Sequence, residues 1–286
     1  MNSYKIVGGK ISLEIAVVDI GKIRLHEETV PNLVERLADE MRRDGVLKNP
    51  IIVDKKSLVV LDGMHRVAAA KKIGCRRMPV CLVDYDDRSI TVGAWYRTVK
   101  NAKSTKQLIP LLNKMKLKFE ERESAPMENV FEKDFIAALL IDRKRMLLIH
   151  GVEADVRKSY EIIAAIESEA ERSGFQIDYE TESDAKNKLE KGEVDVVIAT
   201  PPAHKEHILR AGVSLNPFPH KATRHRIPSR PLDINIPLTI LTNRDTTLEQ
   251  ANNVVLQFLG SRKLSRMPAG SLIENRRYEE EVFLFE

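Results

Sequence analysis

Apolar residues early in the chain recur every three or four positions, which is the spacing of one face of a helix. Pro31 lies at the start of this stretch, where its missing N–H group costs nothing, and Gly45 lies at the end. The pattern therefore predicts a helix between these two residues. The apolar positions are Val30, Leu33, Val34, Leu37 and Met41.

Strand and helix patterns alternate in the segment that follows. The stretch PIIVDKKSLVVLDG at 50–63 has two β-branched runs around a Lys-Lys-Ser turn, which predicts a hairpin. A helix over 64–73 and a strand over 79–85 come next, and another helix is expected near 104–115. These elements indicate a mixed α/β domain, which we place at residues 1–117.

A second α/β domain is predicted over residues 134–235. The stretch at 116–134 is charged and contains a proline, so it is interpreted as the boundary between the domains. Beyond it, FIAALLID and RMLLIHG predict paired strands. The other expected elements are helices near 153–172, 183–191 and 203–211, and strands near 175–180 and 194–199.

The last part of the chain, residues 236–286, is predicted to be a C-terminal extension. The run IPLTIL suggests a strand, residues near 247–260 have the pattern of an amphipathic helix, and a polar tail follows. A basic, proline-bounded loop, PHKATRHRIPSRP, precedes the extension at 219–231.

Composition and charge narrow the class of protein. The 286 residues are 43% hydrophobic and 31% charged, which suits a folded chain with a polar surface. A net charge of +4 is too small for a general nucleic-acid binder, so no nucleic-acid partner is expected. Cys75 and Cys81 match no metal or redox spacing. The N-terminus is not that of a signal peptide and the apolar runs are short, which predicts a cytoplasmic protein without membrane contact.

The residues DGMHR at 62–66 are the strongest candidate for chemistry. They leave a predicted strand and begin a predicted helix, whose first N–H groups and positive dipole end attract anions. Gly63 allows a ligand to approach the backbone, and His65 and Arg66 add donors. Asp62 is placed to hold Mg²⁺ between phosphate oxygens. The alternative is a tight turn followed by a solvated helix, and the motif alone leaves both open.

The hairpin, the D-G-x-H-R motif and the helix ending in glycine resemble the ParB/sulfiredoxin-like nucleotide-binding domain. Met64 stands where sulfiredoxins carry the catalytic cysteine of a G-C-H-R run, which disfavours sulfinate repair. ParB partitioning proteins have a G-E-R-R version followed by a helix-turn-helix domain, and neither is found in this sequence. The motif is more similar to that of the free serine kinases.

Four separated segments carry the resemblance to the free serine kinases. They are HEETV at 26–30, DGMHR at 62–66, the WY pair at 95–96 and KATRH at 221–225. KGEVDVVIA at 191–199 also resembles the second domain of that family, and the similarity extends over roughly residues 10–235 in the same order. Met64 departs from the archaeal pattern, which has a second histidine there, and the segment after about residue 235 has no counterpart.

The resemblance implies a fold, a reaction and a phosphate site. The fold would be a ParB/sulfiredoxin-like α/β (α+β) domain and a second α/β domain with the active site in the cleft between them. The protein would transfer a phosphoryl group from ADP or ATP, with Mg²⁺, to the hydroxyl of free L-serine. Glu27 would be the general base, and its neighbour Glu28 would serve only the helix end. The residues expected to bind the nucleotide phosphates are Gly63, Met64, His65 and Arg66.

The resemblance also implies an acceptor site. Serine has a carboxylate that needs a cation, and arginine can bind a carboxylate through two parallel hydrogen bonds. The residues expected to bind serine are Trp95, Lys221, Thr223, Arg224 and His225. Arg226 and Arg230 are interpreted as ordinary residues of a basic loop.

Two other functions stay open at the level of sequence. One is a ParB-like, nucleotide-dependent regulator or nucleic-acid-binding protein without kinase activity. The other is a kinase for threonine or homoserine, because sequence cannot fix the volume of a pocket to one methylene group. The donor is also open, with a slight preference for ADP that rests on the archaeal relatives.

Overall fold

The structure is a computed structural model that describes residues 2–101, 108–131, 135–151 and 155–286. The chain forms two compact units, and both are discontinuous in sequence. The first unit contains residues 1–91, 208–220 and 225–286, and the second contains residues 92–207 and 221–224. This division differs from the contiguous domains expected from the sequence, because the C-terminal segment packs with the N-terminal one.

The first ninety residues supply most of the predicted elements of the first unit. The helix expected between Pro31 and Gly45 is confirmed, and Gly45 ends it with a left-handed φ of 68°. The predicted hairpin at 50–63 is confirmed as two antiparallel strands. The elements are β1 (Tyr4–Ile6), β2 (Leu13–Asp19), α1 (Pro31–Asp44), β3 (Val46–Leu47), β4 (Ile51–Asp54), β5 (Val60–Asp62), α2 (Met64–Lys72) and β6 (Arg77–Val83), with a 3₁₀ turn at Ile20–Lys22.

Five of these strands form one sheet in the order β1-β2-β6-β4-β5. Strands β4 and β6 are parallel and the other pairs are antiparallel. The central strands are almost entirely buried, which explains their β-branched, apolar runs. Because β5 ends at Asp62 and α2 begins at Met64, the DGMHR motif lies where the sheet meets a helix.

The second unit is built around an antiparallel sheet. Its six strands lie in the order β12-β8-β13-β10-β11-β9. The predicted helices near 104–115 and 153–172 lie partly outside the described residues. The elements are β7 (Thr91–Gly93), β8 (Tyr96–Lys100), α3 (Leu108–Lys114), β9 (Phe119–Glu123), α4 (Met127–Phe131), β10 (Phe135–Leu140), β11 (Arg145–His150), α5 (Val156–Arg172), β12 (Gln176–Glu180), α6 (Glu182–Glu190) and β13 (Val196–Ala199). Helix α7 (Lys205–Val213) follows, and from Ile208 onward it belongs to the first unit.

The charged segment at 116–134 differs from the linker expected there. Residues Phe119–Glu123 form strand β9, which pairs with β11 along its whole length. Strand β9 lies at the edge of the sheet and most of its side chains are exposed. An edge strand tolerates charged side chains, so its composition can resemble that of a linker. For this reason the sequence did not reveal the strand.

The C-terminal segment is more ordered than a polar tail. The run IPLTIL is mainly a short helix and not a strand, and three strands near the C-terminus form a sheet in the order β15-β20-β17. The elements are β14 (Arg224–Arg226), β15 (Ser229–Leu232), β16 (Ile236–Pro237), α8 (Leu238–Thr242), α9 (Leu248–Gly260), β17 (Leu264–Met267), β18 (Leu272–Ile273), β19 (Arg276–Arg277) and β20 (Glu281–Phe285).

The fold class predicted from the sequence, a mixed α/β protein, is confirmed. Helices α1 and α2 pack on each other, α2 lies against β4, and α9 packs on β2. None of the helices in the described ranges is long and apolar enough to cross a membrane.

Candidate active site

The HEETV segment is held by a backbone bridge to Phe218. The Phe218 N–H donates to the His26 carbonyl, and the Glu28 N–H donates to the Phe218 carbonyl, both at 2.8 Å. This parallel bridge is centred on Glu27. The Glu27 side chain is buried, with 5% exposure, whereas Glu28 is exposed. The fold therefore separates the two adjacent carboxylates, and only Glu27 faces inward.

His26 is a neutral, buried neighbour of Glu27. Its Nδ1 donates to the Val60 carbonyl at 2.5 Å. Burial lowers the pKa of His26 to about 4, because the charged ring would lose its water. The ring lies edge-to-face against His225, at 5.3 Å between centroids. His26 thus joins the HEETV segment to strand β5.

His225 lies in the first unit and is held by Tyr85. The Tyr85 hydroxyl and His225 Nε2 are 2.8 Å apart. Burial raises the pKa of Tyr85, so the phenol stays protonated beside the ring nitrogen. The predicted role of His225 as a serine ligand stays a prediction.

His65 joins the start of α2 to the start of α1. Its Nε2 accepts the Val30 N–H at 3.0 Å, and Val30 is the N-cap residue of α1. A ring nitrogen that accepts a hydrogen bond is unprotonated, so the proton of the neutral ring lies on Nδ1. His65 therefore stabilises the helix start that follows Glu27, which the sequence did not suggest.

Gly63 is required by the packing of the first unit. It adopts a φ of 105°, and a Cβ at this position would lie 2.7 Å from Ile51 Cγ2 and 2.8 Å from Arg66 Nη2. Met64, half-buried, begins α2, and no described side chain caps this helix at Gly63. The start of a helix without a side-chain cap leaves its first N–H groups open to an anion, and the phosphate site expected here stays a prediction.

The Arg66 guanidinium folds back beside the start of α2, next to Gly63 and Asp62. It donates to Asp62 Oδ2 at 3.0 Å and to the Pro50 carbonyl at 2.7 Å. Arg230, interpreted from the sequence as an ordinary loop residue, donates to the same Asp62 oxygen at 3.0 Å and also pairs with Glu280. Arg66 and Arg230 thus clamp one carboxylate between two guanidinium groups.

Asp62 is ionised and its charge is already balanced. Burial acts to raise the pKa of Asp62, but Arg66 and Arg230 outweigh it and lower the pKa to about 2. Two arginines on one carboxylate repel a cation, and the described residues contain no group of three or more His, Cys, Asp or Glu that could hold a metal ion. In this arrangement the residues present do not fit a magnesium site, and the assignment of Asp62 to Mg²⁺ stays a prediction.

Three predicted serine ligands come together in the second unit. Lys221 Nζ lies 4.2 Å from the centroid of the Trp95 ring, and the Arg224 guanidinium carbon lies 5.6 Å from it. Trp95 is half-buried, and Thr223 is buried with 5% exposure. Lys221 adopts a left-handed φ of 61°, which costs energy for a residue with a Cβ.

Sequence reasoning missed several residues that contact the predicted ones. Tyr85, Arg97 and Arg230 belong to no motif, so no local pattern marked them.

Comparison with known proteins gives a family match for the first part of the chain and relatives over most of its length. Residues 2–95 match the family model of the ParB N-terminal domain. The chain is 27% identical over 238 residues to the ATP-dependent L-serine kinase of Staphylothermus marinus, covering 79% of this chain and 90% of that relative. It is 25% identical over 230 residues to the ADP-dependent L-serine kinase SerK of Thermococcus kodakarensis, covering 79% and 92%.

A third relative extends the similarity through the C-terminal segment. The ATP-dependent L-serine kinase SbnI of Staphylococcus aureus is 25% identical over 283 residues, which cover 95% of this chain and 97% of that relative. Among solved structures, a glutamate-to-alanine mutant of a free serine kinase in complex with AMP has a TM-score of 0.67 at 23% identity, covering 83% of this chain and 97% of that one.

These findings define the class of the protein. The chain carries a ParB N-terminal domain within a mixed α/β fold shared with a free serine kinase. It is a homologue, over most of its length, of proteins named L-serine kinase. The resemblance drawn from the four sequence segments is thereby confirmed.

Proposed function

We propose that this protein is a kinase that transfers the terminal phosphoryl group of an adenine nucleotide to the hydroxyl of free L-serine. The product is O-phospho-L-serine. One observation carries the proposal beyond the similarity to L-serine kinases: Glu27 is buried and fixed by a backbone bridge, while its neighbour Glu28 is exposed. A buried carboxylate held in one position suits the acceptance of a proton from a bound alcohol.

Glu27 is the proposed general base. Its carboxylate accepts the proton of the serine hydroxyl while the hydroxyl oxygen forms a bond to the terminal phosphorus. The bond from that phosphorus to the bridging oxygen breaks, and its electron pair leaves with the nucleotide. ADP would yield AMP, and ATP would yield ADP.

The start of α2 is the proposed phosphate site. The backbone N–H groups that follow Gly63, from Met64 onward, supply the donors, and the positive end of the helix dipole adds to them. Arg66 and Arg230 contribute positive charge close by, although both contact Asp62. Mg²⁺ enters the proposal as a counter-ion that arrives with the phosphates and neutralises charge, and not as a metal held by a cluster of carboxylates.

The surface formed by Trp95, Lys221 and Arg224 is the proposed acceptor site. Lys221 and Arg224 supply the positive charge that the serine carboxylate needs, and Trp95 supplies a flat wall beneath them. Thr223 lies between the two cations in sequence and adds a hydroxyl group. His225 is proposed as the remaining ligand, oriented by Tyr85.

ADP is the proposed donor, and ATP is the alternative. The names of the relatives do not decide between them, because two of those described above are ATP-dependent and one is ADP-dependent. The preference for ADP rests on the resemblance to archaeal free serine kinases, and the nucleotide product of the reaction tests it.

The test is to incubate the purified protein with L-serine, Mg²⁺ and either ADP or ATP, and to detect phosphoserine and the nucleotide product by chromatography. We expect phosphoserine together with AMP from ADP. Phosphoserine from ATP alone would reverse the choice of donor, and no phosphoserine from either nucleotide would refute the kinase. Threonine and homoserine in place of serine test the acceptor in the same assay.

A further inference from the structure

Arg97 is a buried arginine in the middle of the second unit. Its side chain is only 1% exposed, and its Nε pairs with the Glu167 carboxylate on α5. The Tyr179 hydroxyl donates to the other Glu167 oxygen at 2.7 Å. The rings of Tyr160 and Tyr179 lie 5.8 and 5.2 Å from the guanidinium carbon. Contacts on several sides thus hold the guanidinium of Arg97 in one orientation.

The other end of the Arg97 guanidinium holds the backbone of Trp95. Its Nη1 donates to the Trp95 carbonyl at 2.5 Å, and Thr200 Oγ1 donates to the same carbonyl at 3.2 Å. The Tyr160 hydroxyl donates to the neighbouring Pro201 carbonyl at 2.7 Å and lies 3.3 Å from Thr200 Oγ1. Trp95 immediately precedes β8, so these two donors fix the residue where the strand begins.

A buried ion pair is a costly way to fill a protein interior. Removing a guanidinium and a carboxylate from water costs more than their attraction returns unless the geometry is favourable, and apolar residues would fill the same space at lower cost. In this unit the pair has an additional contact that apolar residues could not make, the hydrogen bond to the Trp95 carbonyl. We therefore infer that the ion pair serves to hold the backbone of Trp95 in position.

We propose that Arg97, supported by Glu167 and Thr200, is a positioning residue of the acceptor site. It holds the Trp95 carbonyl so that the indole ring stays against Lys221 and Arg224, without itself contacting the substrate. This inference rests on the proposed function, because the Trp95 surface is taken as the serine site. The network therefore determines the affinity for serine and not that for the nucleotide.

The first measurement uses the intrinsic fluorescence of Trp95, the only tryptophan in the sequence. Arg97→Lys keeps a positive charge beside Glu167, but a single ammonium group cannot span both Glu167 and the Trp95 carbonyl. We expect acrylamide to quench Trp95 about twofold more strongly in this variant, because the released ring becomes more accessible. This measurement needs no kinase activity.

The second measurement compares the two Michaelis constants. In Arg97→Lys we expect the KM for serine to rise about tenfold, while the KM for the nucleotide changes by less than about twofold. Thr200→Val removes the second donor to the Trp95 carbonyl with little change of shape, and we expect it to raise the serine KM about threefold. Thr200→Ser restores the hydroxyl and should return the serine KM close to that of the wild type.

Arg157→Lys is the matched control, since Arg157 forms an ion pair with Glu161 at 2.8 Å on the same helix as Glu167. It should leave both quenching and the serine KM unchanged. Unchanged quenching and unchanged serine KM in Arg97→Lys and Thr200→Val would overturn the proposal. So would an equal rise of both KM values with unchanged quenching, which is the result of a purely structural role.

Two further outcomes separate this inference from the proposed function. If Arg97→Lys does not fold, the Thr200→Val and Thr200→Ser pair decides the question with the same measurements. If the wild type makes no phosphoserine, the proposed function fails and the kinetic part of this inference fails with it. The quenching experiment then still decides whether Arg97 holds Trp95.

Discussion

Adjacent carboxylates in HEETV differ in environment, and this difference predicts opposite effects of the same substitution. Glu27→Gln keeps the size of the side chain but removes the oxygen that would accept a proton. We expect it to lower kcat by about a hundredfold, within the range for loss of a general base. The KM values for serine and nucleotide should change little. Steady-state kinetics of the phosphoserine reaction measure both effects.

Glu28→Gln is the control for that experiment, because Glu28 is exposed one residue further along the chain. This substitution should lower the free energy of unfolding by only a few tenths of a kcal/mol, the usual effect of a charge near a helix start. An inactive Glu28→Gln beside an active Glu27→Gln would mean that the wrong carboxylate was chosen. If neither substitution affected turnover, the HEETV segment would have no part in the chemistry.

Burial of His26 predicts a loss of stability in mild acid. The pKa of this ring is about 4 in the folded protein against an ordinary value of 6.5, so between these pH values the unfolded chain binds the proton and the folded protein does not. The contribution of His26 to the free energy of unfolding is therefore fully present above about pH 6.5. It falls as the pH drops toward 4, by roughly 3 kcal/mol in total. Urea unfolding from pH 7 to pH 4 measures it.

The comparison variant is His26→Asn, whose amide can still donate to the Val60 carbonyl but does not titrate. Other groups titrate alike in both proteins, so the difference between the two pH profiles isolates His26. Parallel profiles for the wild type and the variant would show that His26 is not the group responsible.

At the scale of single residues, the motifs name candidate residues but not their contacts. The structure brings Trp95, Lys221 and Arg224 together, and their role as serine ligands stays a prediction. The contacts of Arg66 could not be predicted, since the sheet brings the Pro50 carbonyl to it and a distant segment brings Arg230 to the same Asp62 oxygen. Tertiary partners of a charged side chain leave no periodic signal in the chain.

One element-scale feature is the attachment of α9 to the edge of the first sheet. Strand β1 pairs with β2 only as far as Ile15, so the Val17 N–H lies beyond it. Asn252 on α9 supplies the acceptor for this N–H at 2.8 Å and donates to the Asn2 carbonyl at 2.9 Å. A side-chain amide thus continues the hydrogen bonding where the edge strand stops.

Asn252→Ala should therefore destabilise the protein. The substitution leaves a buried backbone N–H without its acceptor, which costs about 1–3 kcal/mol of the free energy of unfolding. Asn253→Ala is the matched control, because Asn253 is exposed on the same helix. Urea denaturation of both variants measures the effect, and equal midpoints for the two would contradict the assignment.

Elements with a strong local signal were predicted well, and those set by tertiary context were not. Helix α1 has a proline at its start and a glycine at its end, and α9 begins with a capping box of Thr247 and Gln250. Strand β9 is charged and was expected to be a linker, because its pairing partner β11 is distant in sequence. The run IPLTIL is too short for its period to separate strand from helix, and Pro237 is the N-cap residue of helix α8.

At the scale of the whole molecule, the C-terminal segment completes the first unit. Strand β20 lies between β15 and β17, parallel to the first and antiparallel to the second. Its residues Val282, Phe283 and Phe285 are buried, and the Phe285 ring lies edge-to-face against Tyr4 at 5.6 Å. The first and last strands of the chain therefore share one core.

Deletion of residues 280–286 should consequently prevent the first unit from folding stably. Each buried side chain of this kind contributes about 1.5–3 kcal/mol, so three of them approach the total stability of a typical domain. The deletion also removes Glu281, which accepts a hydrogen bond from Ser229 at 2.9 Å and pairs with Arg266. Circular dichroism during urea denaturation, together with hydrogen exchange of the five-stranded sheet, measures the loss.

Point variants of the full-length chain test the same contribution of β20 to stability. Phe283→Ala should cost about 3–5 kcal/mol, as expected for a large side chain removed from a core. Leu272→Ala is the control, because Leu272 is 68% exposed and should change the free energy of unfolding by less than about 0.5 kcal/mol. If the truncated chain unfolds at the same urea concentration as the full chain, β20 does not stabilise the first unit. If the truncation instead lowers the protection of the five-stranded sheet from hydrogen exchange, the stability of the fold around Glu27 depends on the last strand of the chain.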